Sequence, residues 1–479
     1  MPINCTYEKE VFTLNEYFTY RLNENQVLIT TRHGGWCVLS QEEYLLLKNN
    51  LVDDKFASLF EKLKEAGVIL TKNNINGIVA DLRKENSFLL RPATYHVIDV
   101  TDKCNFNCIY CHPDATLQKK DMDEKTADKV LDFIFSIPSS RQEIIIEGGE
   151  PLLNWNLVKY LYNKSKEKVK QNGIKSFRFG VTTNLSLMTD NIAKEMAEMK
   201  IHPAVSFDGP KELHNRHRPF ANGNGSYDII IYWFHRLREK YNLRASFLPL
   251  ITKISLGYGP KAFIDEFLKH DNELVFFKPF RPSGRALKNL EELKMSPEEF
   301  FDFLKSGIEY CISLNKKGIK VRERLTSNMV ENIISPHRSS MCHRRPCGAG
   351  GFPMLSYGID GSIYACDSLR SIDFFTLGNV ATDTYQTIRE RALPLIALAP
   401  DLIPICSSCP FMAYCGLCLA DTAGQDNDIY PKIPRSFSCK WQKMAFEYLF
   451  TKLSKEDEDA KILKSWVPNY NQQKPLCRP

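Results

Sequence analysis

Residues 95–111, YHVIDVTDKCNFNCIYC, set an apolar run of strand length directly ahead of three closely spaced cysteines. Further runs of the same kind follow at EIIIE, FRFGVTT, PAVSFD, RASFLPLI and ELVFFKPF, making six between residues 95 and 285. The segment after Asp123 places Ala127, Val130, Leu131, Ile134 and Phe135 on one helical face, and the later gaps are long enough for crossover helices. Strand and helix in alternation predict an α/β fold with a parallel sheet, here a partial (β/α)6 TIM-like barrel. Such barrels carry their chemistry at the C-terminal ends of the strands, which is where Cys104, Cys108 and Cys111 fall.

The chain has 479 residues, 43% hydrophobic and 25% charged, with 24 Gly and 25 Pro, which excludes the disordered and fibrous classes. No stretch approaches the roughly 18 apolar residues of a membrane span, and residues 1–9 lack the apolar core of an export signal. The expectation is a cytoplasmic protein with no membrane partner. A net charge of +6, from 63 basic and 57 acidic residues, is too dilute to call for nucleic acid. Fifteen cysteines without an export signal should be thiols, so the excess points to metal or redox work. Eleven are grouped, three at 104–111 and eight at 342–439, while Cys5, Cys37, Cys311 and Cys477 are scattered.

Five segments are expected. Residues 1–72 carry short strands (YFTYRL, VLIT, WCVL) and then two helices, the first opened by Ser40 and Glu43 as a capping box, the second carrying Phe56, Leu59, Phe60 and Leu63 before a Gly67 stop. Residues 73–92 are polar and read as a linker, 93–315 form the barrel, 316–450 hold the second cysteine group and 451–479 are a tail. The first unit resembles a winged helix.

Three thiols with no fourth nearby suit a cubane cluster with one open iron better than a closed structural zinc site. The spacing C-x3-C-x-aromatic-C resembles the signature of radical S-adenosylmethionine enzymes. Gly148-Gly149-Glu150-Pro151, after the second strand, resembles that family's GGEP element, which meets the methionine ammonium. Thr183 and Asn184 end the third strand, and Ser206 and Asp208 end the fourth, where the family contacts ribose and methionine. By the same resemblance Tyr110 lies beside the adenine, although a packed loop aromatic would look alike. Arg218 is a candidate for the methionine carboxylate, with a solvated arginine as the plainer reading of HNRHRPF. The family's reaction cleaves S-adenosyl-L-methionine reductively to a 5′-deoxyadenosyl radical, leaving the protein to orient ligands and exclude water.

Downstream stand Cys342-x4-Cys347, Gly361-x4-Cys366, Cys406-x2-Cys409-x5-Cys415-x2-Cys418 and Cys439. Two zinc sites are one reading. The array resembles the SPASM extension of radical enzymes, except that its penultimate spacing is x2 in place of x3. The resemblance implies one auxiliary 4Fe-4S cluster on Cys342, Cys347, Cys366 and Cys418 and another on Cys406, Cys409, Cys415 and Cys439, three 4Fe-4S clusters in all. It also implies an electron donor such as a flavodoxin or ferredoxin. Asp367 matches the position of a proposed base in sulfatase maturases, and a turn-capping role is the alternative.

SPASM enzymes mostly act on peptides, and winged-helix units fused to them bind the leader of a precursor by strand addition. No Arg/Lys-dense recognition helix appears in residues 40–66, which weighs against DNA binding. The expected function is a radical peptide maturase, of the His-Xaa-Ser type by sub-family resemblance, installing a crosslink such as a thioether. The alternatives are a formylglycine-generating sulfatase maturase and a non-enzymatic iron–sulfur sensor.

Overall fold

The computed structural model describes residues 11–52, 56–335, 342, 347, 349, 352–370, 372–396, 398, 403–426, 433–468 and 470. In the N-terminal unit, strands β2 (Tyr17–Arg21), β3 (Gln26–Thr31) and β4 (Trp36–Ser40) form an antiparallel sheet with β3 in the middle. Strand β1 (Phe12–Leu14) pairs instead with β5 (Ile69–Thr71). Ser40 and Glu43 close the expected capping box on the helix Gln41–Lys48. In the next helix, Ala57–Glu65, the residues Leu59, Phe60 and Leu63 are buried, while Phe56 precedes it and stays exposed.

Alternation along β3 sends its two faces to different cores. Val27 and Ile29 pack with Leu59 and Leu63 inside the unit, whereas Leu28 joins the main core together with Trp36. The unit is therefore docked: Trp36 stacks edge-on to Phe450 at 5.1 Å and donates its indole N–H to the Ile333 carbonyl at 3.2 Å. Thr30 donates to the Pro410 carbonyl at 2.7 Å. The expected linker contains a helix, Ile75–Asn86, with no buried residue, so its polarity reflects exposure and not the lack of structure.

The main sheet among the described residues has eight strands. Five are parallel and follow the expected runs: β6 (Tyr95–Asp99), β7 (Arg141–Glu147), β8 (Ser176–Thr183), β9 (Pro203–Ser206) and β10 (Ser246–Leu248), in spatial order β10-β9-β8-β7-β6. The sixth run departs from expectation. Only β11 (Leu274–Val275) forms, and it pairs with β12 (Arg322–Glu323) outside the main sheet. One isolated bridge, Ile251 to Pro279, marks where the barrel would continue, and Pro279 brings no N–H to extend it. At the other edge β13 (Met354–Tyr357), from the cysteine-rich segment, pairs in parallel with β6, followed by antiparallel β14 (Ser362–Tyr364) and β15 (Thr376–Asn379). The sheet thus runs across the boundary expected near residue 315.

The helix Glu124–Ser136 buries Ala127, Val130, Leu131, Ile134 and Phe135, as its periodicity requires. Ser296 and Glu299 cap the helix Pro297–Lys316, whose Phe300 meets Trp441 of the helix Phe437–Leu453 at 5.2 Å. Beyond residue 450 the chain forms a further helix, Glu458–Ser465, and buries Trp466 against Asn315. No helix of the described residues is long and apolar enough to cross a membrane.

Candidate active site

The loop carrying Cys104, Cys108 and Cys111 is shaped mainly by its backbone. Asn107 donates its N–H to the Pro219 carbonyl (2.8 Å), Ile109 to His217 (3.0 Å), and Ala221 returns one to Asn105 (2.9 Å). From the other side Arg285 donates Nε to Asp114 (2.9 Å), Nη1 to the Cys108 carbonyl (3.1 Å) and Nη2 to the Ala115 carbonyl (2.7 Å). Gly284, at φ 56°, permits that approach, because a Cβ there would stand 2.1 Å from the His112 carbonyl oxygen.

The three cysteines line one cavity of about 290 Å³ together with Gly148, Gly149, Glu150, Thr183, Asn184 and Ser206. These come from the C-terminal ends of successive strands. Both glycines are dictated by close packing: a Cβ on Gly148 would lie 2.2 Å from the Thr101 carbonyl oxygen, and one on Gly149 2.0 Å from that of Lys103. Glu150 accepts from Thr183 Oγ1 (2.6 Å), Asn184 N–H (2.7 Å) and Leu152 N–H (3.0 Å). Burial outweighs those donors and lifts its carboxyl to about 7. Pro151 starts the short helical turn after it and does not line the cavity.

Tyr110 lines the same cavity, and its hydroxyl donates to Asp208. Asp208 departs from the expected ligand contact. It does not line the cavity, and its oxygens accept from Tyr110, from Arg218 Nη2 (3.0 Å) and from Leu250 N–H (3.0 Å), with His217 Nδ1 at 3.1 Å. Arg218 is 8% exposed, so the solvated reading fails. Its guanidinium stands 5.3 Å from the centre of the Tyr110 ring, and Nε is buried without a hydrogen-bond partner beside the cavity.

Asp367 lines the cavity from the cysteine-rich side, with Oδ1 2.9 Å from the Cys366 sulfur and Oδ2 accepting from Ser368 (3.2 Å). Burial pushes the carboxyl up, but Lys278, the Cys366 contact, Arg281 and His112 together hold it below the ordinary range. Residues missed in the sequence complete the wall: His112, Glu147, Lys278, Arg281 and Arg370, the last donating to buried Asp99. Burial raises Glu147 above the usual carboxylate range and lowers His112 to about 4. Their one sequence signal was position, at or near the ends of strand-like runs or in the cysteine segments.

Cys406, Cys409, Cys415 and Cys439 line a second, smaller cavity of about 40 Å³, together with apolar groups such as Phe411, Met412 and Phe446 and with the polar Gln442 and Lys443. Burial and then Asp367, Cys342 and Cys347 raise the Cys366 thiol, while Cys347 and Cys342 also act on Cys418, so those four lie near one another. Among the described residues no three His, Cys, Asp or Glu side chains converge as they would on a single ion. A shared cavity and mutual proximity fit a multinuclear centre, and burial of Cys104 and Cys108 means that iron binding there must release protons from raised thiols. A larger groove of about 1000 Å³ lies beside Ala245 and Leu274, away from this chemistry, and no cysteine lines it.

A parallel sheet with three thiols, a double-glycine loop and buried carboxylates at its strand ends has the form of a radical SAM domain. Residues 98–258 match the family model described as Radical SAM superfamily, and the chain carries that domain. It is 22% identical over 380 residues to a cysteine-type anaerobic sulfatase-maturating enzyme of Clostridium perfringens, covering 77% of this chain and 97% of that one. The solved structure of anSMEcpe with bound AdoMet superposes with TM-score 0.66 at 21% identity, over 80% of this chain and 98% of that one. Streptococcus suis SuiB bound to precursor peptide SuiA gives 0.52 at 15% identity, over 90% and 100%. Those two likenesses establish a shared fold.

Proposed function

We propose that this protein is a radical SAM oxidoreductase that matures a ribosomally made precursor peptide, abstracting hydrogen to install a crosslink such as a thioether. The observation that carries the reading is the single cavity onto which Cys104, Cys108 and Cys111, the Gly148–Glu150 loop and Asp367 all open. S-adenosylmethionine held at an iron–sulfur cluster supplies the hydrogen-abstracting radical. Glu150 receives the methionine ammonium, Arg218 offers its unpartnered Nε to the carboxylate, and Asp367 takes the proton that the substrate loses.

The cysteine-rich segment holds two auxiliary clusters on the two sets of four thiols, fed by a small cytoplasmic electron donor. The N-terminal unit, read as a winged helix that recognises the leader, has strand β2 at the edge of its sheet, where a leader peptide can add as a further strand. The coverage of nearly the whole Clostridium perfringens maturase supports a second reading, formation of formylglycine from a Cys or Ser side chain.

Anaerobic incubation with S-adenosylmethionine, a reductant and a candidate precursor separates these. Loss of two hydrogens with no new aldehyde supports the crosslink; an aldehyde trapped by a hydrazide, with loss of two hydrogens at a Ser or with sulfur also replaced by oxygen at a Cys, supports the second reading; and no cofactor cleavage overturns both.

A further inference from the structure

Arg281 ties the cavity to the cysteine-rich segment. It follows the broken sixth strand, lines the cavity and divides its guanidinium among three acceptors: Nε donates to Asp421, Nη1 to the Ser368 hydroxyl, and Nη2 to the Cys418 sulfur at 3.2 Å. The Ser368 hydroxyl in turn donates to Asp367 at 3.2 Å, and Asp421 accepts from Ser438, the neighbour of Cys439, at 3.4 Å. The Arg281 and Asp421 side chains are only 16% and 9% exposed, so water screens the charge near Cys418 poorly.

A cluster gains negative charge when it is reduced. A buried cation that hydrogen-bonds one of its sulfurs stabilises the reduced form more than the oxidised one and raises the potential. The planar guanidinium is fixed by Asp421 and Ser368, so its third donor stays on the sulfur. Cys418 is also the thiol whose x2 spacing departs from the SPASM pattern, and the arginine supplies a side-chain hold on it that the spacing does not.

We propose that Arg281 is a positioning residue that fixes Cys418 and raises the reduction potential of the first auxiliary cluster, an inference that rests on Cys418 being one of its ligands. The test is a potentiometric titration followed by electron paramagnetic resonance, on anaerobically reconstituted full-length protein, Arg281→Gln and Arg281→Lys. Iron, sulfide and zinc are measured first, and the signal lost in Cys342→Ala identifies the cluster concerned. In Arg281→Gln its midpoint should fall while the other midpoints stay. Lys, which keeps the charge but cannot reach all three acceptors, should lower the same midpoint and keeps the test alive if the Gln variant does not load iron. Full iron content with an unmoved or raised midpoint overturns the proposal. Zinc in place of iron in the parent, or Cys418→Ala retaining every cluster signal, overturns the ligand reading itself.

Discussion

Arg218 and Asp208 form an ion pair at 3.0 Å with the carboxylate fully buried, and Tyr110, a cysteine-loop residue, donates to that same carboxylate. One acid thus fixes both a cavity cation and the aromatic between Cys108 and Cys111. Burial would raise Asp208, but Arg218 and His217 prevail and hold it far below its ordinary range. Asp208→Asn strands a buried guanidinium and should cost about 3–5 kcal/mol in denaturant unfolding. Because the folded pKa is depressed, the lost stabilisation is present above the unfolded value near 4 and disappears only in stronger acid. The deficit should therefore stay constant from about pH 5 to 8.

Glu150 gives the opposite pH behaviour. Its carboxyl, raised to about 7, is half protonated near neutrality, and a cationic ligand group binds the ionised form. Cofactor affinity measured by equilibrium dialysis should rise by up to tenfold per unit below about pH 7 and level off above it. Glu150→Gln should bind more weakly and lose that slope. A parent affinity that does not change between pH 6 and 8 would count against Glu150 as the ammonium partner.

Gly284→Ala tests how the cysteine loop is held. The new methyl meets the His112 carbonyl oxygen at 2.1 Å on a backbone at φ 56°, so the chain must retreat from residues 111 and 112. Strain of about 1–3 kcal/mol is expected, together with lower iron retention in the variant. Arg285→Lys, which cannot serve Asp114, Cys108 and Ala115 from one fork, should show the same loss without the strain.

The cysteine spacings and the GGEP loop were legible because each is a short-range pattern whose chemistry dictates its residues. The clamp on the cysteine loop was not: Arg285 reaches Asp114 across 171 positions, and no local periodicity encodes such a pairing. The sixth run misled for a related reason. Phe277 packs against Phe263 and Phe303, so the run is apolar largely through burial by helices and not through membership of the main sheet. The addition of β13 beside β6 was likewise hidden, since parallel pairing joins segments far apart in the chain.

Trp36 tests the docking of the N-terminal unit. It fills the main core from β4 against Phe450, and Tyr414 lies within 3.3 Å of the Gly34 carbonyl on the same side. Trp36→Ala should cost about 3–5 kcal/mol, as expected for a buried indole. Amide exchange should then accelerate in residues 410–414, the stretch between Cys409 and Cys415. Unchanged exchange there would mean that the unit does not steady that cysteine loop.

Asp367 carries the last prediction. Its carboxylate faces the cavity with Lys278, Arg281 and His112 around it, an environment that keeps it ionised, and so free to accept, while lowering its proton affinity. Asn at this position keeps the shape and loses the basic oxygen. If Asp367 is the base, cofactor cleavage should continue at the parent rate while peptide product falls by about a hundredfold, the lower range for lost general-base assistance. Glu should restore part of the product, because it returns a carboxylate to the same wall. A turn-capping role predicts otherwise: the Asn variant would retain product formation and show its defect, if any, in thermal unfolding. Comparing 5′-deoxyadenosine released with peptide converted, in the same single-turnover reaction, distinguishes the two roles.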